Sequence, residues 1–389
     1  MSSRLQFISL LFFMSFFLLY VFHFLSSKSP SCYTSTFKAR RVHVLLLSSW
    51  RSGSSFLGQI FNHHNDVFYI YEPGHAVWMK LQGESSELLH YPLRDVLHSL
   101  FNCDVTPFRH YLPKEGKYIN DMRFFAESQA LCIPPACSSF IPSEGYDRRK
   151  CLHRCVNNSM DRAEEACRMY SHVVMKTVRV LDLSTIFPLL EDPYLNFRII
   201  HLVRDPRAVA LSRKGFPLIT DDHILLNNEG FSKDKNYTIS NVMAKTCKAQ
   251  VDITRLARTS KSLNGRYMVI RHEDLAKNPV ESVRKMFDFA ELELTEHTRQ
   301  WIYNITHVEV QEGSDLLTFS RVSSKVIEKW RTDADFNFVH QIQLVCKGAM
   351  REFGYFPVRS RKAQLNKSVA VIMGNWSQTE QVKSPVKIR

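Results

Sequence analysis

The stretch Ser49-Trp50-Arg51-Ser52-Gly53-Ser54-Ser55 sets small residues around one arginine, directly after the apolar run Val42 to Leu47. Serine and glycine let backbone N–H groups come close to a phosphate, and a helix starting there aims its own N–H groups at the same anion. Arg51 adds a planar, permanently charged fork of donors. A nucleotide loop of the Walker type carries Gly-x4-Gly-Lys-Ser/Thr; here the first glycine and the lysine are both missing, which disfavours ATP. A second stretch, Arg204-Asp205-Pro206-Arg207-Ala208-Val209-Ala210-Leu211-Ser212, follows a run ending at Val203. Asp205 is placed to cap a helix and Pro206 to take its first position, while Arg204 and Ser212 offer a cation and a hydroxyl that suit a second phosphate. Alone, the first motif reads as an ordinary capped turn and the second as a well-capped surface helix.

These residues need a frame. After the loop, Phe56, Leu57, Ile60 and Phe61 recur at helical spacing, and Val67 to Tyr71 reads as a strand that ends on Glu72 and Pro73. His172 to Met175, Arg198 to Val203 and Tyr267 to Ile270 are further short β-rich runs, each followed by polar residues and a helical pattern. The alternation predicts an α/β fold, a P-loop-like parallel sheet flanked by helices. Ligands of such sheets gather beyond the carboxyl ends of the strands, which places Arg51, Glu72, Lys176, Arg204 and Arg271 on one rim. The cysteine-rich stretch from about 103 to 167 breaks the alternation and reads as an insertion.

Residues Leu5 to Leu25 carry no formal charge and are long enough to span roughly 30 Å of hydrocarbon as a helix. A cleaved signal peptide has a shorter apolar core, about 7 to 15 residues, so the segment reads as a transmembrane signal anchor. It leaves residues 1–4 as a cytoplasmic tail and residues 26–41 as a stem. Arg4 and Lys28 hardly fix the orientation. Asn-x-Ser/Thr sequons at Asn157, Asn236, Asn304, Asn366 and Asn375, with nine cysteines, favour a lumenal, oxidising compartment for the body. The spacings of Cys132, Cys137, Cys151, Cys155 and Cys167 do not form the paired ribbon of a zinc site, so disulfides are expected, with their connectivity open. Cys32 is the odd one out, free or linking two chains into a homodimer. The net charge is +13, but residues 358–389 hold seven Lys/Arg against Glu380 alone and read as a solvated basic tail. The remaining excess suits an acidic donor or glycan, and a lumenal domain disfavours nucleic acid as a partner.

Taken together, "SSWRSGSS" and "RDPRAVALSR" resemble the carbohydrate sulfotransferases, and so do "FYIYEP", "SHVVMKTVRV", "RHEDLA" and "WIYNITH". The resemblance runs from about Val42 to Tyr355 and is strongest toward the N-acetylglucosamine 6-O-sulfotransferases, which are type II membrane proteins of the Golgi apparatus. It implies 3′-phosphoadenylyl sulfate as sulfate donor, no metal, and sulfation at C6 of N-acetylglucosamine in a glycan acceptor, with C6 of galactose as the alternative. Carried onto this sequence, Ser49 to Ser55 hold the 5′-phosphosulfate, with Arg51 balancing charge on the bridging oxygen. Arg204 to Ser212 hold the 3′-phosphate. Glu72 becomes the general base, and Lys176 faces the donor sulfate or the acceptor. The sequence also departs from the family. Ala76 stands where a histidine is usual, with His75 one position earlier, and the region Ser323 to Arg331 loses a glycosylation site while keeping Trp330 and Arg331.

Two rivals follow from other residues. Asp333-Ala334-Asp335 matches the metal-binding Asp-x-Asp of lumenal glycosyltransferases. The changes at His75 and Ala76 also leave room for a non-catalytic glycan-binding protein built on the same fold.

Overall fold

The computed structural model describes residues 41–216, 218–227, 238–307, 327–374 and 376. The span Leu5 to Leu25, most of the stem and Cys32 lie outside the described residues. Among the described residues no helix is long and apolar enough to cross a membrane.

The centre is a five-stranded sheet, β1 Val42–Ser48, β2 Val67–Tyr71, β3 His172–Thr177, β4 Asn196–Val203 and β5 Tyr267–Arg271. Every pairing is parallel, in the order β2-β3-β1-β4-β5. β1 sits in the middle, with Val42 opposite His172 on one side and Asn196 on the other. That position explains its unbroken apolar run: Leu45 and Leu47 face one core cluster, Val44 and Leu46 the other. Each such buried leucine or valine contributes about 1.5–3 kcal/mol relative to exposure.

The helices that position the site are α1 Ser54–Asn62, α2 Pro73–Lys80, α3 Ser86–Phe101, α4 Pro206–Lys214, α5 Ile219–Leu226, α6 Ile239–Thr259 and α7 Phe336–Val345. Both α1 and α2 begin within a few residues of a strand's carboxyl end, as do α4 and the short helix His272–Lys277.

The insertion between α3 and β3 is a series of short helices closed by Cys103–Cys167, Cys132–Cys151 and Cys137–Cys155. A fourth bond, Cys247–Cys346, fastens α6 to the end of α7. The insertion is also keyed to α1. Asn62 Oδ1 accepts from Gln129 N at 2.8 Å, and Gln59 Nε2 donates to the Glu127 carbonyl at 3.3 Å. The buried Glu127 carboxylate pairs in turn with Arg148.

The expected solvated basic tail is not free from Val358 onward. Val358, Gln364 and Val371 are buried, and Arg331 donates to the carbonyls of Gln364, Asn366 and Val369. A buried guanidinium with backbone acceptors in that segment holds residues 358–374 onto the domain, despite their basic composition.

Candidate active site

β1 ends at Ser48, whose hydroxyl donates to the Leu202 carbonyl of β4 at 2.9 Å. The chain then turns sharply, with Arg51 at φ 67° and Gly53 at φ 89°, and enters α1. Both residues occupy the left-handed region, which costs an arginine strain and a glycine nothing. Space also demands glycine at 53, because a Cβ there would stand 2.4 Å from His272 Nδ1. The first turn of α1 has no side-chain cap. Its N–H groups are of the kind that meet an anion. Within the loop, Ser49 and Ser52 are buried and bond to each other at 2.6 Å, and Trp50 is buried against Trp78. Ser54 is buried too, while Arg51, Gly53 and Ser55 keep partial exposure. The loop thus offers backbone and Arg51 to a ligand, with the first serines acting as struts.

The second motif folds as expected at its start: Asp205 Oδ1 accepts from Arg207 N at 2.9 Å and Pro206 opens α4. Beyond that its residues divide. Pro206, Ala208, Val209 and Ala210 are buried, and so is Arg207, which pairs with Asp205 at 2.7 Å, donates to the Phe356 carbonyl and stacks over Trp330. Arg204, Leu211 and Ser212 stay partly exposed. Arg204 Nη1 donates to the Arg51 carbonyl at 2.9 Å, and Arg51 Nε donates to Ser212 Oγ at 3.0 Å. The two motifs therefore touch directly. Arg271, expected on the same rim, is instead a structural residue. It pairs with Asp274 at 2.7 Å and donates to the carbonyls of Phe353 and Met373.

His272 follows Arg271, and its buried Nδ1 lacks a hydrogen-bond partner among the described residues. Burial, reinforced by the Arg204 charge, pushes its imidazole well below the usual range. Next to it, Glu273 accepts from Asp205 N at 3.0 Å and from Tyr355 OH at 2.8 Å, and burial pushes its carboxyl up.

Glu72, at the end of β2, also has a left-handed backbone, φ 50°, and precedes the first residue of α2. Its carboxylate is buried between Lys176 Nζ at 2.5 Å and Arg179 Nη1 at 2.7 Å. Burial works to raise the Glu72 carboxyl, but the Lys176 and Arg179 charges outweigh it and hold it below its ordinary value. Lys176 is likewise depressed by burial and raised more strongly by Glu72 and Tyr71, so it stays a cation. Arg179 continues the chain to Asp221 of α5, gripping that carboxylate at 2.9 and 3.1 Å. Its guanidinium also stands over the rings of Trp50 and Trp78. Sequence reasoning passed over both Arg179 and Asp221. The signal for Arg179 was its place three residues beyond Lys176 in "MKTVR"; none marked Asp221.

His75 lies in the first turn of α2, half-buried, with Nε2 at 3.5 Å from Arg123 Nη1 and its ring edge-on to Phe124. Burial, helped by Arg179, lowers it to about 4. Ala76 packs on the core instead. Trp330 lies under Arg207 and Arg331 fastens the C-terminal segment, so both serve the scaffold. Residues 323–326 lie outside the described residues. In the Asp-x-Asp stretch, Asp335 caps α7 by accepting from Phe338 N, and Asp333 accepts from the Thr332 hydroxyl.

Comparison with known proteins places the chain in a family. The family model described as "Sulfotransferase domain" matches residues 41–354. Carbohydrate sulfotransferase 6 of Homo sapiens is 41% identical over 339 residues, 86% of this chain and 85% of the relative. Carbohydrate sulfotransferase 5 of Homo sapiens is 40% identical, covering 86% and 82%, and carbohydrate sulfotransferase 4 of Mus musculus is 37% identical, covering 86% and 87%. With the loop after β1 touching Arg204 and α4, and a buried carboxylate at the end of β2, the chain belongs to the carbohydrate sulfotransferases, enzymes that transfer sulfate to a sugar.

Proposed function

We propose that this enzyme transfers sulfate from 3′-phosphoadenylyl sulfate to the C6 hydroxyl of N-acetylglucosamine in glycans of the keratan sulfate or mucin type. We place it in the Golgi lumen, anchored by Leu5 to Leu25 as a single-pass type II protein. The supporting observation is the hydrogen bond from Arg51 to Ser212, which brings the two motifs into direct contact. The residues fit such a donor: the N-terminus of α1 without a side-chain cap, a glycine at φ 89°, and the buried His272 Nδ1 beside Arg204, without a hydrogen-bond partner among the described residues.

In this reading the Ser49 to Ser55 loop holds the 5′-phosphosulfate through its backbone and Arg51, while Arg204 and Ser212 hold the 3′-phosphate. The buried members of the second motif, Asp205 to Ala210, act by fixing those two. The sugar oxygen attacks sulfur, the bond from sulfur to the bridging oxygen breaks, and adenosine 3′,5′-bisphosphate leaves with the electron pair. Glu72 accepts the hydroxyl proton as it is released. Arg51 meets the charge on the leaving oxygen, and Lys176 keeps Glu72 ionised while facing the transferred group.

The test uses the full-length protein in detergent with labelled 3′-phosphoadenylyl sulfate and oligosaccharides ending in N-acetylglucosamine or galactose, with and without chelator. Chelator-resistant label on C6 of N-acetylglucosamine is the expected result. Label confined to galactose would move the acceptor assignment, and tight binding of adenosine 3′,5′-bisphosphate without labelled glycan would overturn the reaction.

A further inference from the structure

The cleft beside Glu72 is closed on one side by the disulfide-bonded insertion. Tyr71, Glu72 and His75 line it from β2 and α2, and Arg123 and Phe124 from the insertion. The Phe124 ring stands 5.0 Å from Tyr71 and 5.1 Å from His75, and the Arg123 guanidinium lies 5.5 Å over Phe124. Tyr71 OH in turn bonds Ser55 Oγ of the anion-binding loop at 2.8 Å, so the aromatic wall is continuous with the donor side.

Charge separates Arg123 from the other cations here. Lys176 and Arg179 are buried against Glu72 and Asp221. Arg123 is exposed, and its neighbours are an imidazole and a phenyl ring; no carboxylate lies within ion-pair distance among the described residues. His75 is held uncharged near neutrality by burial, so it does not repel an anion, and its Nε2 stands 3.5 Å from Arg123 Nη1 alone, leaving the remaining guanidinium N–H groups without a protein acceptor among the described residues. A guanidinium with vacant donors on an aromatic face recognises an oxyanion through paired hydrogen bonds. The flat ring beside it offers an apolar surface to the C–H face of a sugar. The anchoring of the insertion to α1 through Asn62 and Gln59 fixes both residues relative to the donor loop.

We propose that Arg123 and Phe124 form an acceptor subsite that selects glycans carrying an anionic group, a sulfate ester or a carboxylate, on the sugar next to the one being sulfated. This rests on the glycan-acceptor reading above and deepens it. Phe124 stacks the neighbouring sugar, Arg123 holds its anionic substituent, and the target hydroxyl is left facing Glu72.

Binding is measured calorimetrically on the full-length protein in detergent, with adenosine 3′,5′-bisphosphate present. Three matched oligosaccharides ending in N-acetylglucosamine are compared: one neutral, one sulfated on the penultimate sugar, one bearing a carboxylate there. At least one anionic ligand is expected to bind about tenfold more tightly than the neutral one. Which of the two does so identifies the source of the charge. Arg123→Gln removes that preference, Arg123→Lys keeps part of it, and Phe124→Ala weakens all three ligands. Arg149→Gln, on the exposed surface of the same insertion, controls for net charge. Equal binding of the three by the native protein, or a preference that survives Arg123→Gln, overturns the subsite. Because binding is read without turnover, an Arg123-dependent preference with no labelled product would leave the subsite standing and remove the proposed reaction instead.

Discussion

Arg51 Nε and Ser212 Oγ, separated by 161 residues in the chain, are joined by a hydrogen bond of 3.0 Å. The bond ties the loop after β1 to the helix after β4. Ser212→Ala removes it, together with a hydroxyl offered to the ligand. Affinity for adenosine 3′,5′-bisphosphate is expected to fall about 5- to 20-fold, from the loss of one or two hydrogen bonds, with the melting temperature little changed. Titration of the product onto the two proteins checks this.

Glu72 is held by two cations, so its removal has two separable effects. Glu72→Ala strands Lys176 and Arg179 in a buried site and is expected to destabilise the fold by about 3–5 kcal/mol. Glu72→Gln retains volume and an acceptor oxygen. It should keep product binding while kcat falls by about 10²–10⁴. Single-turnover rates with parallel thermal melts distinguish the two, and undiminished turnover in Glu72→Gln would assign the base elsewhere.

Asp221 is joined to Glu72 through Arg179, which bonds both carboxylates. Asp221→Asn loosens the Arg179 grip and is expected to lower kcat about tenfold with product affinity nearly intact. A shift of the pH–rate profile separates this from simple unfolding, because Arg179 helps hold the Glu72 carboxyl down.

Gly53→Ala meets both a left-handed backbone and His272 Nδ1. A loss of more than about 1 kcal/mol in stability is expected, together with loss of product binding. The double variant with His272→Ala relieves the clash but not the strain, so its melting temperature should recover only in part.

Acidification should destabilise the protein. His172 and His201 are held at about 4 by burial, below the 6.5 of a free imidazole. Between those values the unfolded chain binds protons that the folded chain refuses. Stability is therefore full above pH 6.5 and declines toward pH 4, by up to about 1.4 kcal/mol per pH unit for each histidine. Melting temperatures from pH 7.5 to 5 should show the slope, and His201→Gln should reduce it.

The sheet was legible because each strand is a short apolar run broken by polar residues, and buried parallel strands need little else to be recognised. The contact between the motifs was not, since Arg51 and Ser212 are brought together only by β1 lying beside β4. Arg204, Arg207 and Arg271 look alike in sequence. Partners decide between them: Asp205 and the Phe356 carbonyl draw Arg207 inward, Asp274 does the same for Arg271, and Arg204 is left at the rim. Arg179 escaped notice because its partner Asp221 lies in α5, 42 residues further along the chain. The C-terminal boundary was misplaced for a related reason, because net charge says nothing about Val358 or Val371 finding a core.

The order of the strands has a consequence for synthesis. Among the described residues, β1 pairs with β3 and β4, and β2 with β3 alone. A nascent chain therefore displays the runs at Val42–Ser48 and Val67–Tyr71 with no neighbour until His172 and Asn196 have emerged. At roughly 5–20 residues per second that wait is on the order of ten seconds. β1 thus gains both of its neighbours only when β4 has been made, and β2 keeps one open edge even in the finished sheet, so the apolar runs made first are the ones left exposed through most of synthesis.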